Sequence, residues 1–115
     1  MASVDMGRVT RVMESLERDH PGAQLLVNDP WSIYYLTGFY AEMFERFCGV
    51  LLTPGREPVI MVNALHQLPD YDNARVAYHT DTDDVADAIA RELDPERELG
   101  IDTVMRSGFL MPLMD

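Results

Sequence analysis

The stretch Asp29-Pro30-Trp31-Ser32-Ile33-Tyr34-Tyr35-Leu36-Thr37-Gly38-Phe39 constrains the fold of this chain more than any other. Asp29 can accept hydrogen bonds from the free N–H groups of a helix start, and Pro30 suits the first helical position, where its missing donor is not needed. Gly38 can take the left-handed conformation that ends a helix. Between them lie about two turns, roughly 11 Å of helix, too short to hold in water alone. The element must therefore dock, and Trp31, Ile33 and Leu36 are the side chains expected to seat it on a sheet.

The flanking sequence supplies that sheet. Over residues 5–19 the apolar positions Val9, Val12, Met13 and Leu16 mark one face of a helix, which His20-Pro21-Gly22 stops. Residues 23–27, apolar apart from Gln24, have the length of a buried strand and are read as one. Residues 39–46 follow neither period and read as a loop. Residues 47–52 and 58–62 are strands joined by a turn at Pro54-Gly55, which predicts an antiparallel hairpin. Residues 63–73 read as a loop with at most one helical turn, and 75–78 as a short strand. Val85, Ala88, Ile89 and Leu93 predict a helix over 84–93 that Pro95 ends, with Asp81, Asp83, Asp84 and Asp87 crowding its positive end. Residues 99–101 are a strand. Residues 107–115 have helical spacing interrupted by Pro112, and the pattern is still running at Asp115, so further chain is expected beyond it. The order predicts an α/β domain with a mixed sheet and one hairpin.

A length of 115 residues sets a single domain with one core. The formal charge of −11 argues against nucleic acid or an anionic membrane as partner, since both require clustered positive charge. All nine basic residues are arginine, leaving guanidinium groups as the strong anion readers. No apolar run approaches the roughly 18 residues of a membrane span, and Asp5 stands where a signal peptide would be basic. A cytoplasmic location is expected. The single cysteine, Cys48, rules out an intrachain disulfide.

The candidate chemistry is sparse. The seven glycines form no phosphate-binding loop. His79 with Asp81, Asp83 and Asp84 could mimic a metal cluster, but a calcium loop would need a central glycine and a distal glutamate, so a capped helix start is the favoured reading. Cys48, between Phe47 and Gly49 in a strand, reads as a small core residue rather than a nucleophile. His20 reads as a solvated helix cap and His66 as solvent-facing. Glu42 and Glu45 read as a charged surface loop. No metal ligand and no catalytic residue is assigned.

The segment Ile33-Tyr34-Tyr35-Leu36-Thr37-Gly38-Phe39 is similar to the hallmark of the amino-terminal domain in the creatinase, prolidase and aminopeptidase P family. The first helix and strand, the hairpin at Pro54-Gly55, the acidic helix and Leu99-Gly100-Ile101-Asp102 follow in that family's order, so the resemblance covers nearly the whole chain. It implies a ribonuclease H-like three-layer α/β domain with a mixed, mostly parallel sheet of about five strands including one hairpin. It also implies that residues 1–115 precede a larger pita-bread catalytic domain carrying two divalent metal ions, which this chain itself does not bind. The implied activity is that of a Xaa-Pro dipeptidase or aminopeptidase, assisted by this domain through dimerisation and capping of the substrate site of a partner subunit.

In creatinase-like members a phenylalanine and an arginine two residues later reach the neighbouring active site and hold the substrate carboxylate. Phe44 and Arg46 occupy the matching positions and are the implied substrate-binding residues; the plain alternative is a surface ion pair of Arg46 with Glu42 or Glu45. Tyr40 could also face the site, and packing at its rim is the favoured reading. The implied partners are the chain's own catalytic domain, a second subunit and a peptide substrate. The competing readings are a stand-alone binding or scaffold module and the corresponding domain of a creatinase-type amidinohydrolase.

Overall fold

The computed structural model describes residues 2–40 and 47–102. Phe44, Arg46 and the segment 107–115 therefore lie outside the described residues. Helix α1 (Met6–Asp19) starts because Asp5, in extended backbone, accepts the Arg8 N–H at 3.1 Å. It ends at His20, whose N–H still donates to the Leu16 carbonyl at 2.7 Å. Strand β1 (Gln24–Val27) follows, then α2 (Pro30–Thr37). Asp29 caps α2 by accepting from the Ser32 N–H at 3.2 Å and its hydroxyl at 2.7 Å. At the other end Gly38, with φ of 77°, turns the chain left-handed and donates its N–H to the Tyr34 carbonyl at 2.8 Å. The expected start and stop of this helix are both observed.

Strands β2 (Gly49–Leu52), β3 (Val59–Asn63) and β4 (Arg75–His79), helix α3 (Val85–Ala90) and strand β5 (Leu99–Ile101) complete the domain. The sheet runs β4-β3-β2-β1-β5. The hairpin of β2 and β3 is antiparallel as expected, with Val50 opposite Ile60. β1 also pairs antiparallel with β2, Leu26 opposite Leu51, whereas β1–β5 and β3–β4 are parallel. β2 alone is thus reversed: four strands point the same way, yet only half of the ladders are parallel.

Alternation along the strands divides the core in two. Val27, Val50, Leu52, Ile60 and Val62 face α1 and α2, meeting Val9, Ile33 and Leu36. Leu26, Leu51, Val59 and Met61 face the opposite way, onto Ile89 of α3 and Phe47. The helices therefore cover both faces, in three layers. Burying Ile33 and Leu36 contributes about 1.5–3 kcal/mol each, enough to hold a helix that would not stand alone.

Two expectations are corrected. Trp31 does not dock α2: it is 68% exposed, while Ile33, Leu36 and Thr37 are buried. Successive helical residues turn by about 100°, so Trp31, Tyr34 and Tyr35 fall on the stripe opposite Ile33 and Leu36. Helix α3 ends at Ala90 rather than running to Leu93, and Pro95 is not what stops it. Glu92 and Leu93 instead donate to carbonyls three residues back, at 3.0 and 3.2 Å. The buried Gln24 side chain then takes Asp94 from both sides, donating to its carbonyl at 2.9 Å and accepting its N–H at 3.0 Å.

The amino-terminal residues form an additional strap. Val4 is buried; its N–H donates to the Asn73 side chain at 2.9 Å, and that side chain donates back to the Val4 carbonyl at 3.0 Å. Ser3 donates to Asp72 at 2.6 Å, and Tyr71 to the Thr37 carbonyl at 2.9 Å. The segment 63–73, expected as a loop, thus clasps both the amino terminus and the end of α2.

Candidate functional site

Because β1, β3, β4 and β5 run in one direction, their carboxyl ends gather at one rim of the sheet, the place where open α/β sheets present ligand-facing loops. Asn28, Asn63, His79 and Asp102 sit there, each next to or at the end of a strand. The reversed β2 begins at this rim, so Phe47 and Cys48, which lead into it, lie there as well.

Buried polar groups fix the rim. The Asp102 Oδ2 accepts from the N–H groups of Asn28 and Asp29 at 2.5 and 2.7 Å, joining β5 to the start of α2. The Asn28 side chain donates to the Cys48 carbonyl at 2.7 Å, joining β1 to the approach to β2. Asn63 donates to Asp81 at 2.7 Å and accepts the Leu65 N–H at 2.9 Å. His79 is 4% exposed, with its ring 6.4 Å from that of Phe47. Its Nε2, like the Oδ1 of Asp102, is buried with no hydrogen-bond partner among the described residues.

The electrostatics suit a scaffold. Burial pushes the Cys48 thiol up to about 12, so it stays protonated at neutral pH and behaves as the core residue expected of it. Burial also lowers the pKa of His79, outweighing the upward pull of Asp83 and Asp81. The acidic residues around His79 are engaged by the polypeptide itself. Asp83 accepts from the Thr80 N–H at 2.7 Å, and Asp84 caps α3 by accepting from Ala86 at 2.9 Å. That is the capped helix start favoured from sequence. No group of three or more potential metal ligands occurs among the described residues. His20 is exposed, as expected; His66 is half-buried, edge-on to Phe39 at 5.7 Å between centroids.

Outside the rim, Tyr40 packs on Trp31 with centroids 4.9 Å apart and stands edge-on to Tyr34 at 6.4 Å. Tyr40 thus packs against solvent-facing neighbours, not at the carboxyl rim. Asn28, Asn63 and Asp102 were not singled out as a group from sequence. The signal was available: each is a polar residue at the carboxyl end of an apolar strand run.

These features define a mixed, three-layer α/β domain whose carboxyl rim is tied together by polar side chains and brings no nucleophile and base together among the described residues. The sequence model of the Creatinase/Prolidase N-terminal domain matches residues 8–113, and the chain belongs to that family. Solved structures agree on the fold. A proline dipeptidase from Streptococcus agalactiae 2603V superposes with a TM-score of 0.79 at 20% identity, over 95% of this chain and 86% of that one. The Creatinase/Prolidase N-terminal domain of an X-Pro dipeptidase from Streptococcus pyogenes gives 0.78 at 20% identity, over 94% and 86%. Recombinant prolidase from Thermococcus sibiricus gives 0.75 at 22% identity, where 94% of this chain spans only 31% of the other. No curated protein matches the chain. No helix among the described residues is long and apolar enough to cross a membrane.

Proposed function

We propose that the chain is the non-catalytic amino-terminal domain of a Xaa-Pro dipeptidase or aminopeptidase-type metallopeptidase, acting in the cytoplasm. Its architecture is read as ribonuclease H-like, and its role as dimerisation and capping of the substrate site of a partner subunit. The observation that carries this reading is the family match over residues 8–113, joined to the fold shared with prolidase from Thermococcus sibiricus, a chain about three times as long. In the proposal, catalysis and two divalent metal ions belong to a pita-bread domain following this one, and the partners are that domain, a second subunit and a peptide.

Phe44 and Arg46 are the proposed substrate contacts. They belong to the segment between Tyr40 and Phe47, and Phe47 is anchored beside His79 at the carboxyl rim. A guanidinium can bind a carboxylate through two parallel hydrogen bonds while a ring supplies an apolar wall. In the full-length enzyme, Arg46→Ala should raise KM for X-Pro dipeptides about tenfold or more with a smaller change in kcat. An unchanged KM rejects the Arg46 role, and a full-length protein that cleaves creatine but no X-Pro dipeptide replaces the peptidase reading with the amidinohydrolase one.

A further inference from the structure

We propose that the groove along α1 is a binding site for a short zwitterionic peptide with apolar side chains. The inference does not rest on the peptidase reading, since binding there requires neither a metal nor catalysis. Arg8, Arg11, Val12, Ser15, Leu16 and Asp19 recur at intervals of three and four residues, so one stripe of α1 forms a wall of the groove. Leu25 of β1, Tyr35 of α2 and His20 close it around about 460 Å³, within the range of small-ligand pockets. Val12, Leu16 and Leu25 are half-buried and give it an apolar floor. Gly100 lies opposite Leu25 in β5, where a Cβ would stand 3.5 Å from the leucine Cδ1, so β5 places no side chain over that floor.

Charge selects the occupant, because the two ends of the groove differ in sign. At one end Arg11 makes no hydrogen bond or ion pair among the described residues. Beside it Arg8 is fixed by Asp5 at 3.3 Å and by the face of the Tyr35 ring at 4.0 Å. At the other end Asp19 meets only its neighbour Arg18, at 3.5 Å with the two side chains 62 and 72% exposed, a pair of little strength that leaves the carboxylate open to a ligand. Glu98, 3.9 Å from His20, adds a second carboxylate there. Midway, the Ser15 hydroxyl accepts from Arg18 at 2.9 Å and keeps its own proton to donate to a peptide carbonyl. A terminal carboxylate therefore belongs at Arg11 and a terminal ammonium at Asp19. An anionic ligand would be repelled by a chain of net charge −11, and a cationic one would meet Arg8 and Arg11; a zwitterion avoids both penalties.

Spacing sets the length. From Arg11 to Asp19 the helix rises about 12 Å at 1.5 Å per residue. An extended peptide covers roughly 3.3–3.6 Å per residue, so about three or four residues bridge the two ends. With one wall open to water, the affinity is modest, with a Kd of about 0.1–1 mM.

The test is an amide NMR titration of the nitrogen-15-labelled chain with the tripeptide Val-Leu-Val, its C-terminal amide and its N-acetyl form. The free peptide should give saturable shifts confined to α1, His20, Leu25 and Tyr35. Blocking either terminus should weaken binding about threefold or more, as for a partly exposed ion pair. Arg11→Gln should weaken the free peptide by the same factor and leave the amide unaffected, and Asp19→Asn should do likewise with the N-acetyl form. Both positions are exposed, so neither change disturbs the fold. Absence of binding up to about 10 mM, or shifts centred elsewhere on the domain, overturns the site. Equal binding of free and blocked peptides overturns its selection of a zwitterion.

Discussion

Gly49 opens β2 because Phe47 crosses its Cα position. A Cβ built there would fall 2.6 Å from the Phe47 ring, and Phe47 is itself 1% exposed, leaving it little room to retreat. Gly49→Ala should therefore destabilise the domain by about 1–3 kcal/mol, read as a lower urea midpoint at unchanged slope. His79, two positions before Asp81 at the start of the acidic turn, acts through pH. Its folded pKa is lowered from the ordinary 6.5, so as pH falls the unfolded chain takes up the proton first. Stability contributed by the neutral buried ring is fully present above that ordinary value and declines as pH drops from there toward the folded pKa. Urea titrations at about pH 7.5 and pH 5.5 should show a loss that His79→Gln reduces. Asp83 and Asp94, held below 3.8 first by backbone hydrogen bonds from Thr80 and Glu96, lose their contribution only at lower pH, so the two effects occupy separate windows.

At the scale of elements, α2 was legible because its signals are local. Asp29, Pro30 and Gly38 act on backbone within a turn of themselves, and the structure uses all three. The face that α2 buries was misjudged at Trp31, since aromatic density does not tell which stripe meets the sheet; the 3.6-residue period through Ile33 and Leu36 does. The end of α3 was missed because Gln24, 70 residues away, captures Asp94. The candidate rim was hidden for the same reason: Asn28, Cys48 and Asp102 meet only once β1 is flanked by both β2 and β5. Asp102 ties those elements together. Replacing it with alanine strips two part-buried N–H groups of their acceptor, which should cost about 1–3 kcal/mol in unfolding experiments, whereas Asp102→Asn retains an acceptor oxygen and should cost less.

For the molecule as a whole, class and connectivity were readable from the alternation of strand and helix signals, and the hairpin from Pro54-Gly55. The strand order β4-β3-β2-β1-β5 was not, since continuous apolar runs such as Leu25-Leu26-Val27 specify burial on both faces without naming a neighbour. The strap over residues 2–5 carries no hydrophobic period, and Asn73, which receives it, looks like any loop asparagine. That strap bears on the order of assembly during synthesis. Ser3 and Val4 are among the first residues made, yet their partners Asp72 and Asn73 follow 69 positions later, and β1 gains its parallel neighbour only with Leu99–Ile101. A chain emerging from the ribosome must therefore carry its amino-terminal strap and one edge of β1 open until residues 72–73 and 99–101 have appeared, and its folding is set by late, long-range closure rather than by growth from the amino terminus.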